Sequence, residues 1–446
     1  RSWSWAWAAL AVLALLALIA RSLVGVGSWG DEAYGLSTAL RLHLGDRPLL
    51  DAWDTNFSSA ILALPFLRAF LGVTGSTDGI LLVYRVFFLL MSLALSGSAC
   101  VILRRIMDPT RAKLVAALTL LYLPFLSPFV SYGADWHWHM LAGLFAVAAM
   151  GDPKHGPAWL AIAGAFTGLG AIGNPPTAIG FPILLFAVAR LDPPGRIVGG
   201  PRRMAWYGAG FALVTLPFLA ILALMAGPGA IGLMPEVLAA DDHSFTLQAF
   251  GERLWQGKTV IALTIATGLA LGSWLRGRTA RGQSADAALT LCVVLVVTIS
   301  LIASGHLAPI VTPQSVVFVA AGSVLLMQRI SRHDSRHPAR RLLIAAALGP
   351  GIGWFLGSNG GIYSAILAAP LLLAAALIAG DSERTSGNTS VSPGPGSRVL
   401  NAVLAAVVAA SAITGMLYTP QGMTTTMTAR AEVGPFRGLY GTPDEV

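Results

Sequence analysis

Five carboxylates lie close together in the stretch Ser28–Asn56, which follows a run of almost pure hydrocarbon side chains. An acid beside hydrocarbon costs free energy unless it reaches water or performs a function. Asp31 stands where a helix end meets the membrane interface, so a lipid head group can approach it and its carboxylate can act as a general base. The alternative is a solvated loop. It suits Asp46 at least as well, because LGDRP is typical of a turn and Arg47 can simply pair with this acid.

The string ADWHWHM contains three further candidates, Asp135, His137 and His139. On a strand all three would share one side, whereas on a helix only Asp135 and His139 share a face. Histidine and carboxylate are suitable metal ligands, so a divalent metal site is one interpretation. The other is an interfacial loop in which the tryptophans belong to an aromatic belt and the histidines face water.

Two single polar residues interrupt or border apolar segments. Arg85 lies inside a long apolar run, where an arginine is a functional candidate, although such a side chain can also snorkel to the head groups. Asn174 follows a glycine and precedes two prolines, so it is interpreted either as the cap of a helix end or as a ligand.

The elements that carry these residues belong to a polytopic membrane protein. Of the 446 residues, 55% are hydrophobic and 11% are charged, and the mean hydropathy is +0.70. Soluble domains carry roughly 25% charged residues. Segments such as Gly79–Leu103 and Ala205–Ala226 reach or exceed the roughly 20 apolar residues that cross about 30 Å of hydrocarbon. A large soluble core is therefore excluded.

The predicted fold is all-α, with about thirteen transmembrane helices. Of the 29 Lys and Arg residues, 19 lie in alternate loops. The positive-inside rule therefore places the N-terminus in the cytoplasm and the acidic stretch on the outer face. These basic residues serve to fix the topology of the chain in the membrane. The net charge of +8 therefore does not indicate nucleic acid as a partner. Hydropathy places the spans at about residues 5–26, 79–103, 112–130, 137–150, 157–173, 176–190, 205–227, 258–275, 286–304, 309–328, 342–357, 361–380 and 399–419.

The outer loop 27–78 is predicted to hold two interfacial helices. Glu32–Leu44 has leucines at positions 36, 40 and 44, which would place one face on the membrane. The following apolar segment, SSAILALPFLRAFLGV, is expected to be too short to span comfortably and to lie on the outer leaflet, with Arg68 snorkelling.

The remaining organisation follows from composition and topology. Residues 1–419 form the transmembrane domain, and the outer loop 228–257 is long enough to act as a lid. The segment 381–397 is expected to be a flexible cytoplasmic linker. The tail 420–446 is expected to lie outside and to be truncated, so that a further outer domain is missing, because the chain starts without methionine and ends without an evident stop.

Two stretches resemble a known family, the GT-C fold glycosyltransferases that use polyprenyl-phosphate sugars, such as lipid A aminoarabinose transferases and bacterial protein O-mannosyltransferases. That family has an acidic pair and a tyrosine, an amphipathic helix, a GxxPYxD turn and a segment near KPP. Here DEAY matches the first element with Asp31, Glu32 and Tyr34. GDRPLLD, Gly45–Asp51, matches the turn, and DTNFSS stands where KPP usually lies.

The second stretch, GHLAPIVTPQSVVFVAAGSVLL, is similar to the family's RYLLPLLPALALL, with His306 in place of the usual basic residue. The resemblance in hydrophobic layout covers nearly the whole chain. It implies a GT-C type bundle and an inverting transferase in the cytoplasmic (inner) membrane. Such an enzyme moves a sugar from a polyprenyl-phosphate donor to a glycan, lipid or protein acceptor at the outer face.

The resemblance and the residue chemistry together assign roles. Asp31 would be the base that activates the acceptor, and Glu32 would assist it or bind a sugar hydroxyl or a cation. The sequence identifies no definite cofactor, and a divalent metal is one option; its candidate ligands are Asp31, Glu32, Asp135 and His139. The expected substrate-binding residues are Tyr34, Asp51, Asp54, Asn56, Arg85, Asp135, His137, His139, Asn174, His306 and Asn359.

Two other functional classes compete with a transferase. A lipid or solute transporter would need polar groups at mid-membrane and usually two related halves. The predicted spans are nearly free of such groups, and no related halves are visible in the sequence. A non-catalytic assembly protein would have no reason to concentrate acids in the first outer loop.

Overall fold

The computed structural model describes residues 31–51, 57–121, 135–190, 199–233, 338–357, 369–378 and 429–441, apart from Pro153 and Pro228. It also describes a few isolated residues between 9 and 23, Glu236, Ala405 and the short strands 418–419 and 422–423. The predicted spans 5–26, 258–275, 286–304, 309–328 and 399–419 lie wholly or largely outside the described residues. The same holds for most of the loop 228–257 and for the linker 381–397.

The described part of the chain is mostly helical. Short 3-10 helices lie at Pro175–Ile179 and Ala230–Leu233. Strand β1, Tyr418–Thr419, pairs antiparallel with β2, Gly422–Met423, and β3, Ala429–Arg430, pairs antiparallel with β4, Tyr440–Gly441. The α-helices are α1 Asp31–Leu44, α2 Phe57–Thr74, α3 Ile80–Leu103, α4 Pro109–Leu121, α5 Asp135–Gly151, α6 Gly156–Gly173, α7 Gly180–Ala189, α8 Gly200–Ala226, α9 Pro338–Gly357 and α10 Ala369–Ile378.

Four described helices are long and apolar enough to cross a membrane: α2 and α6 with 18 residues each, α3 with 24 and α8 with 27. The prediction of a helical membrane protein is therefore confirmed for this part of the chain, while the count of thirteen spans and the GT-C arrangement stay predictions. The segment after Asn56 forms α2, which is one residue longer at each end than the quoted apolar string and so reaches the length of a span. Its placement on the outer leaflet stays a prediction.

Glycine allows α6 and α8 to pack at backbone distance. A β-carbon on Gly164 would run into the carbonyl oxygen of Tyr207, and one on Gly210 would run into the carbonyl oxygen of Ala161. A β-carbon on Gly168 would lie 3.2 Å from the carbonyl oxygen of Phe211. Within a bilayer, helices associate through such close van der Waals contact because lipid is as apolar as their side chains. This contact therefore requires glycine.

The helices α7 and α9 approach each other in the same way. A β-carbon on Gly349 would lie 2.5 Å from Gly180 Cα, and one on Gly353 would lie 2.5 Å from Thr177 Cα. As the residue number rises from Gly349 to Gly353 in α9, the contacted residue falls from Gly180 to Thr177, so α7 and α9 are antiparallel. Helix α5 joins them where a β-carbon on Gly143 would lie 2.7 Å from Ala346 Cβ. Together these helices share one apolar core with α3, α4 and α10.

A second apolar cluster, the outer cluster, joins α1 and α2 to the start of α3. It also includes Leu222 near the end of α8 and Leu439 in the tail. Leu36 is 5% exposed and belongs to this cluster, while Leu44 is 75% exposed. The expectation that the leucines of α1 rest on the membrane is therefore wrong for Leu36, because it packs within the outer cluster instead.

The tail hairpin 429–441 caps the first turn of α3. The Gly79 N–H donates to the Gly434 carbonyl oxygen at 3.0 Å, and the Leu81 N–H donates to the Pro435 carbonyl oxygen at 3.3 Å. Amide groups at a helix start have no partner within the helix. The tail supplies these partners, so residues 429–441 lie at the same end of the bundle as α1.

Replacing Gly210 with alanine should weaken the contact between α6 and α8, because the new methyl group would meet the Ala161 carbonyl oxygen. Overpacking of this kind costs about 1–3 kcal/mol. We expect a lower midpoint of thermal unfolding in detergent. Gly208→Ala is the matched control, since nothing lies within 4 Å of a β-carbon at that position of α8. Equal midpoints for the two variants would contradict the contact.

Candidate functional site

The acidic pair Asp31 and Glu32 forms the first two residues of α1. Acids in the first turn complement the partial positive charge of a helix N-terminus, which accounts for a helix starting there. Leu36 and Leu42 hold the rest of α1 in the outer cluster. The backbone of the acidic pair is thus attached to the end of the bundle where α3 begins. Tyr34 follows on α1 and is 46% exposed.

Two arginines organise the GDRPLLD turn. Arg41 donates from Nε to Asp46 at 2.7 Å and from Nη2 to the Asp51 carbonyl oxygen at 2.6 Å. Arg47 donates from Nε and Nη2 to the two carboxylate oxygens of Asp51, at 2.8 and 3.2 Å, and its backbone N–H donates to the same carboxylate at 2.9 Å. The expectation that Arg47 pairs with Asp46 is therefore wrong.

This turn has one unusual backbone conformation. Leu49 has a φ of 66°, in the left-handed region, which costs a non-glycine residue about 1–3 kcal/mol. Its side chain is 0% exposed within the outer cluster, so burial offsets the cost. The turn is thus held from inside by Leu49 and from outside by the two ion pairs.

Asp51, predicted to bind substrate, already has its carboxylate engaged by Arg47. The side-chain hydrogen bond from Arg47, aided by its backbone N–H, lowers the pKa of Asp51 from 3.8 to about 2. The same pairing raises the pKa of Arg47. The structure thus gives Asp51 a structural role in the turn, and its role as a substrate ligand stays a prediction.

Arg85 is buried, with 1% of its surface exposed. It lies in the second turn of α3 and shares the face of that helix that carries Phe88 and Ser92, both of which contact His137. The alternative that Arg85 snorkels to the head groups is therefore wrong. Its guanidinium lies inside the protein.

His137 lies inside the bundle and not in a water-facing loop. It is 0% exposed, its Nε2 lies 3.1 Å from Ser92 Oγ, and its ring meets Phe88 edge-on with centroids 4.8 Å apart. Ser92 is near the middle of the 24-residue helix α3. The interpretation of ADWHWHM as an interfacial loop is therefore wrong, because α5 begins at Asp135 and carries His137 to the depth of Ser92.

His139 is also buried, at 2% exposure, but it faces other helices than His137 does, since two residues along a helix turn it by about 200°. Its Nε2 has no hydrogen-bond partner among the described residues. A β-carbon on Gly170 would lie 2.5 Å from this nitrogen, and one on Gly180 would lie 3.5 Å from Cε1 of the same ring. His139 therefore fills the space where α5 meets α6 and α7.

These positions bear on the predicted metal site. Nε2 of His139 abuts Gly170, so no ion fits between them. Within the described residues, no three His, Cys, Asp or Glu side chains stand together as metal ligands. A metal bound by Asp31, Glu32 and Asp135 stays a prediction, because the structure describes the backbone of these three residues and not their side chains.

Asn174 ends α6 and begins the 3-10 helix. Its carbonyl oxygen accepts from Thr177 Oγ1 at 2.7 Å and from the Thr177 N–H at 2.9 Å, and the residue is 8% exposed. It therefore occupies a cap position, and its role as a ligand stays a prediction. Four further site candidates, Asp54, Asn56, His306 and Asn359, lie outside the described residues.

Sequence reasoning missed a second polar contact between helices. Thr167 Oγ1 on α6 lies 2.8 Å from Tyr207 OH on α8, and Tyr207 is 0% exposed. The signal in the sequence was one hydroxyl side chain in each of two apolar runs. Once α6 and α8 are paired, these two hydroxyl groups lie at the same depth. Together with Ser92 and His137, this contact shows that the described spans do carry buried polar groups. The sequence-based argument against a transporter is weaker for that reason.

Two solved structures of the Archaeoglobus fulgidus oligosaccharyltransferase are similar to this chain. One, tethered by a disulfide bond to an acceptor peptide containing the NVT sequon, has a TM-score of 0.48 and 15% identity over 93% of this chain and 56% of that chain. The other, AglB in complex with an inhibitory peptide and a dolichol-phosphate, has a TM-score of 0.45 and 15% identity over 92% and 55%. The chain thus spans about half the length of each. No protein-family model and no curated protein matches it.

Replacing Asp51 with asparagine should loosen the GDRPLLD turn. Since pairing lowers the pKa of Asp51 from 3.8 to about 2, the pair stabilises the turn above about pH 4 and its contribution is lost as the pH falls through about 2. We expect amide-exchange protection of residues 45–51, corrected for intrinsic rates, to fall over that range in the wild type. Asp51→Asn should show low protection throughout. Identical profiles would contradict the pairing.

The Ser92–His137 contact should appear as a coupling energy. In a double-mutant cycle with Ser92→Ala and His137→Phe, we expect about 0.6 kcal/mol and at most about 1.7 kcal/mol, as for other hydrogen bonds within membranes. The measurement is the free energy of unfolding in mixed micelles. Ser96→Ala is the matched control, because Ser96 Oγ donates to the Ala116 carbonyl oxygen at 2.8 Å and not to His137. The losses of unfolding free energy in Ser96→Ala and His137→Phe should therefore add. Equal coupling in both cycles would refute the contact.

Proposed function

We propose that the chain is an integral membrane glycosyltransferase that moves a sugar from a polyprenyl-phosphate carrier to a cell-envelope acceptor. One observation carries the proposal. The two parts of the first loop that resemble the GT-C family, the acidic pair and the turn Gly45–Asp51, form one unit of α1 and its turn. That unit packs through the outer cluster at the end of α3 where Arg85 is buried.

In the proposed reaction, Asp31 takes the proton of an acceptor hydroxyl. The acceptor oxygen forms a bond to the anomeric carbon of the sugar from the face opposite the carrier. The bond between that carbon and the phosphate oxygen breaks, and the carrier leaves as a polyprenyl phosphate. Because one displacement occurs, the anomeric configuration inverts. Glu32 assists Asp31 or binds a sugar hydroxyl.

The leaving phosphate gains negative charge, so a cation that faces it would lower the barrier. Arg41 and Arg47 stand in the same loop, but both are engaged with the carboxylates of Asp46 and Asp51. Arg85 is a further candidate within the described residues, because its permanent charge is buried in the second turn of α3, where Coulomb interactions are stronger than in water. His306 would supply a second positive charge to the phosphate if the stretch that resembles RYLLPLLPALALL has the same role here.

The proposed location is the cytoplasmic membrane, with the N-terminus inside and the acidic pair on the outer face. The tail 429–441 supports a common face for the chain's C-terminal end and α1, because both belong to the outer cluster. The acceptor, whether glycan, lipid or protein, would approach this end of the bundle.

A lipid or solute transporter is the second candidate, and one observation favours it. The buried pair of His137 and Ser92 lies near mid-depth of α3, where transporters hold polar groups that bind substrate or coupling ions. The transferase remains the better-supported proposal, because the first loop resembles the GT-C family at both the acidic pair and the turn Gly45–Asp51.

The test of the transferase is discharge of radiolabelled polyprenyl-phosphate sugars by the purified chain in lipid, with membrane extract as the source of acceptor. Asp31→Asn, a near-isosteric change, should lower turnover by about 10²–10⁴-fold, as expected for loss of a general base. The matched control is Asp152→Asn, the same change in a carboxylate that pairs with His155 at 2.9 Å outside the site. It should retain turnover.

Full turnover by Asp31→Asn would show that another group is the base, although the chain would still be a transferase. If the wild type discharges no donor in any combination, the transferase itself is wrong. In that case the transporter would be established if the wild type moves labelled lipid or solute across the membrane of proteoliposomes and the variant His137→Phe does not.

A further inference from the structure

Three arginines lie close together where α7 ends and α8 begins. Arg190 directly follows α7, and Arg202 and Arg203 lie in the first turn of α8. The two helix ends touch here, because a β-carbon on Gly200 would lie 3.0 Å from the carbonyl oxygen of Ala189. The area lies at the start of α8, opposite to the end of this helix that joins the outer cluster with α1.

The charge of this arginine cluster, Arg190, Arg202 and Arg203, is not balanced within the described residues. Nε and Nη1 of Arg203 are out of water and have no hydrogen-bond partner there. Leaving charged N–H groups buried without an acceptor costs several kcal/mol in general. Arg190 and Arg202 are exposed, and none of the described ion pairs includes any of the three. An anion at this position would supply the missing acceptor and offset the charge.

The surface beside the cluster is apolar and exposed. The Phe186 ring, 59% exposed, carries the Arg190 guanidinium 4.4 Å above its centroid. Trp206 is 48% exposed and Leu213, two turns further along α8, is 73% exposed. In a chain that spans a membrane, such a surface faces acyl chains, and a tryptophan in this position marks the head-group level.

We propose that the arginine cluster binds the phosphate of an anionic diacyl phospholipid whose acyl chains lie along Phe186, Trp206 and Leu213. Guanidinium groups donate strong hydrogen bonds to phosphate oxygens, so a phosphate placed here can accept from Arg203 and from the exposed guanidinium groups of Arg190 and Arg202. Basic pockets between transmembrane helices commonly bind anionic head groups in this way. The inference rests on the chain being a membrane protein and is independent of the transferase.

The test is lipid binding to the purified full chain in detergent, followed by native mass spectrometry and by the midpoint of thermal unfolding. The probes are phosphatidylglycerol, phosphatidylcholine and inorganic phosphate. We expect phosphatidylglycerol to bind on the order of tenfold more tightly than phosphatidylcholine and to raise the midpoint. Inorganic phosphate at the same concentration should not raise it, because it has no acyl chains.

The variant Arg202→Gln/Arg203→Gln should lose this preference. The matched control is Arg104→Gln/Arg105→Gln, which removes the same charge from two exposed arginines at the end of α3 and should keep the preference. Arg190→Gln, a change at an exposed residue, should weaken binding without affecting folding. Equal loss in the cluster variant and in the control would show general surface attraction and overturn the site.

Two further outcomes would overturn the proposal. If inorganic phosphate raises the midpoint as much as phosphatidylglycerol does, the site binds phosphate and not lipid. If Asp192→Asn lowers the midpoint as far as Arg203→Gln, and the two changes together lower it no further, then Asp192 of the same chain is the partner of Arg203. Unchanged lipid preference in Asp192→Asn supports the lipid.

Discussion

Close approach of helix backbones at glycine is the interaction on which the described bundle depends. Water does not drive helices together inside a bilayer, because lipid tails are as apolar as leucine, so contact distance decides whether they associate. Gly164 and Gly210 bring α6 and α8 together, and Gly180 and Gly349 do the same for α7 and α9. Each pair removes the side chains that would otherwise hold two helices apart. The abundance of glycine in this chain, 49 of 446 residues, is thus partly a requirement of packing.

Buried polar groups follow from that packing. Hydrocarbon offers no hydrogen bonds, so a polar side chain inside the bundle must find its partner on a neighbouring helix. Thr167 meets Tyr207 only because glycines of α6 and α8 allow the two backbones to touch. His139 depends on Gly170 more directly, since any side chain at that position would occupy the space of the imidazole. Glycine therefore sets both which helices pair and which polar residues the interior can hold.

The sequence predicts elements better than it predicts what they touch. Long apolar runs located α3 and α6 within one or two residues, because the length of hydrocarbon fixes the length of a span. The leucine spacing of α1 predicted a helix with one apolar face, but such a face fits a bilayer and a neighbouring helix equally well, and Leu36 in fact packs within the outer cluster. His137 was placed at an interface because tryptophans flank it. Its real depth is set by the offset between α3 and α5, which no local pattern encodes. Arg47 was expected to pair with Asp46 but pairs with Asp51. The cause is similar, because the left-handed conformation of Leu49 turns the backbone between Arg47 and Asp51, and no local pattern predicts that turn.

Helix α8 links the two charged ends of the bundle. It has 27 residues, which at 1.5 Å per residue makes it about 40 Å long, close to the thickness of a bilayer with its head groups. Its first turn carries Arg202 and Arg203, and its last turns carry Leu222 and Ala226 of the outer cluster. If lipid phosphates hold the arginines at one head-group layer, the length of α8 puts the outer cluster at the other. The acidic pair at the start of α1 would then stand at the boundary between lipid and water. At that depth a carboxylate stays charged, and in the proposed reaction the acceptor hydroxyl comes within its reach.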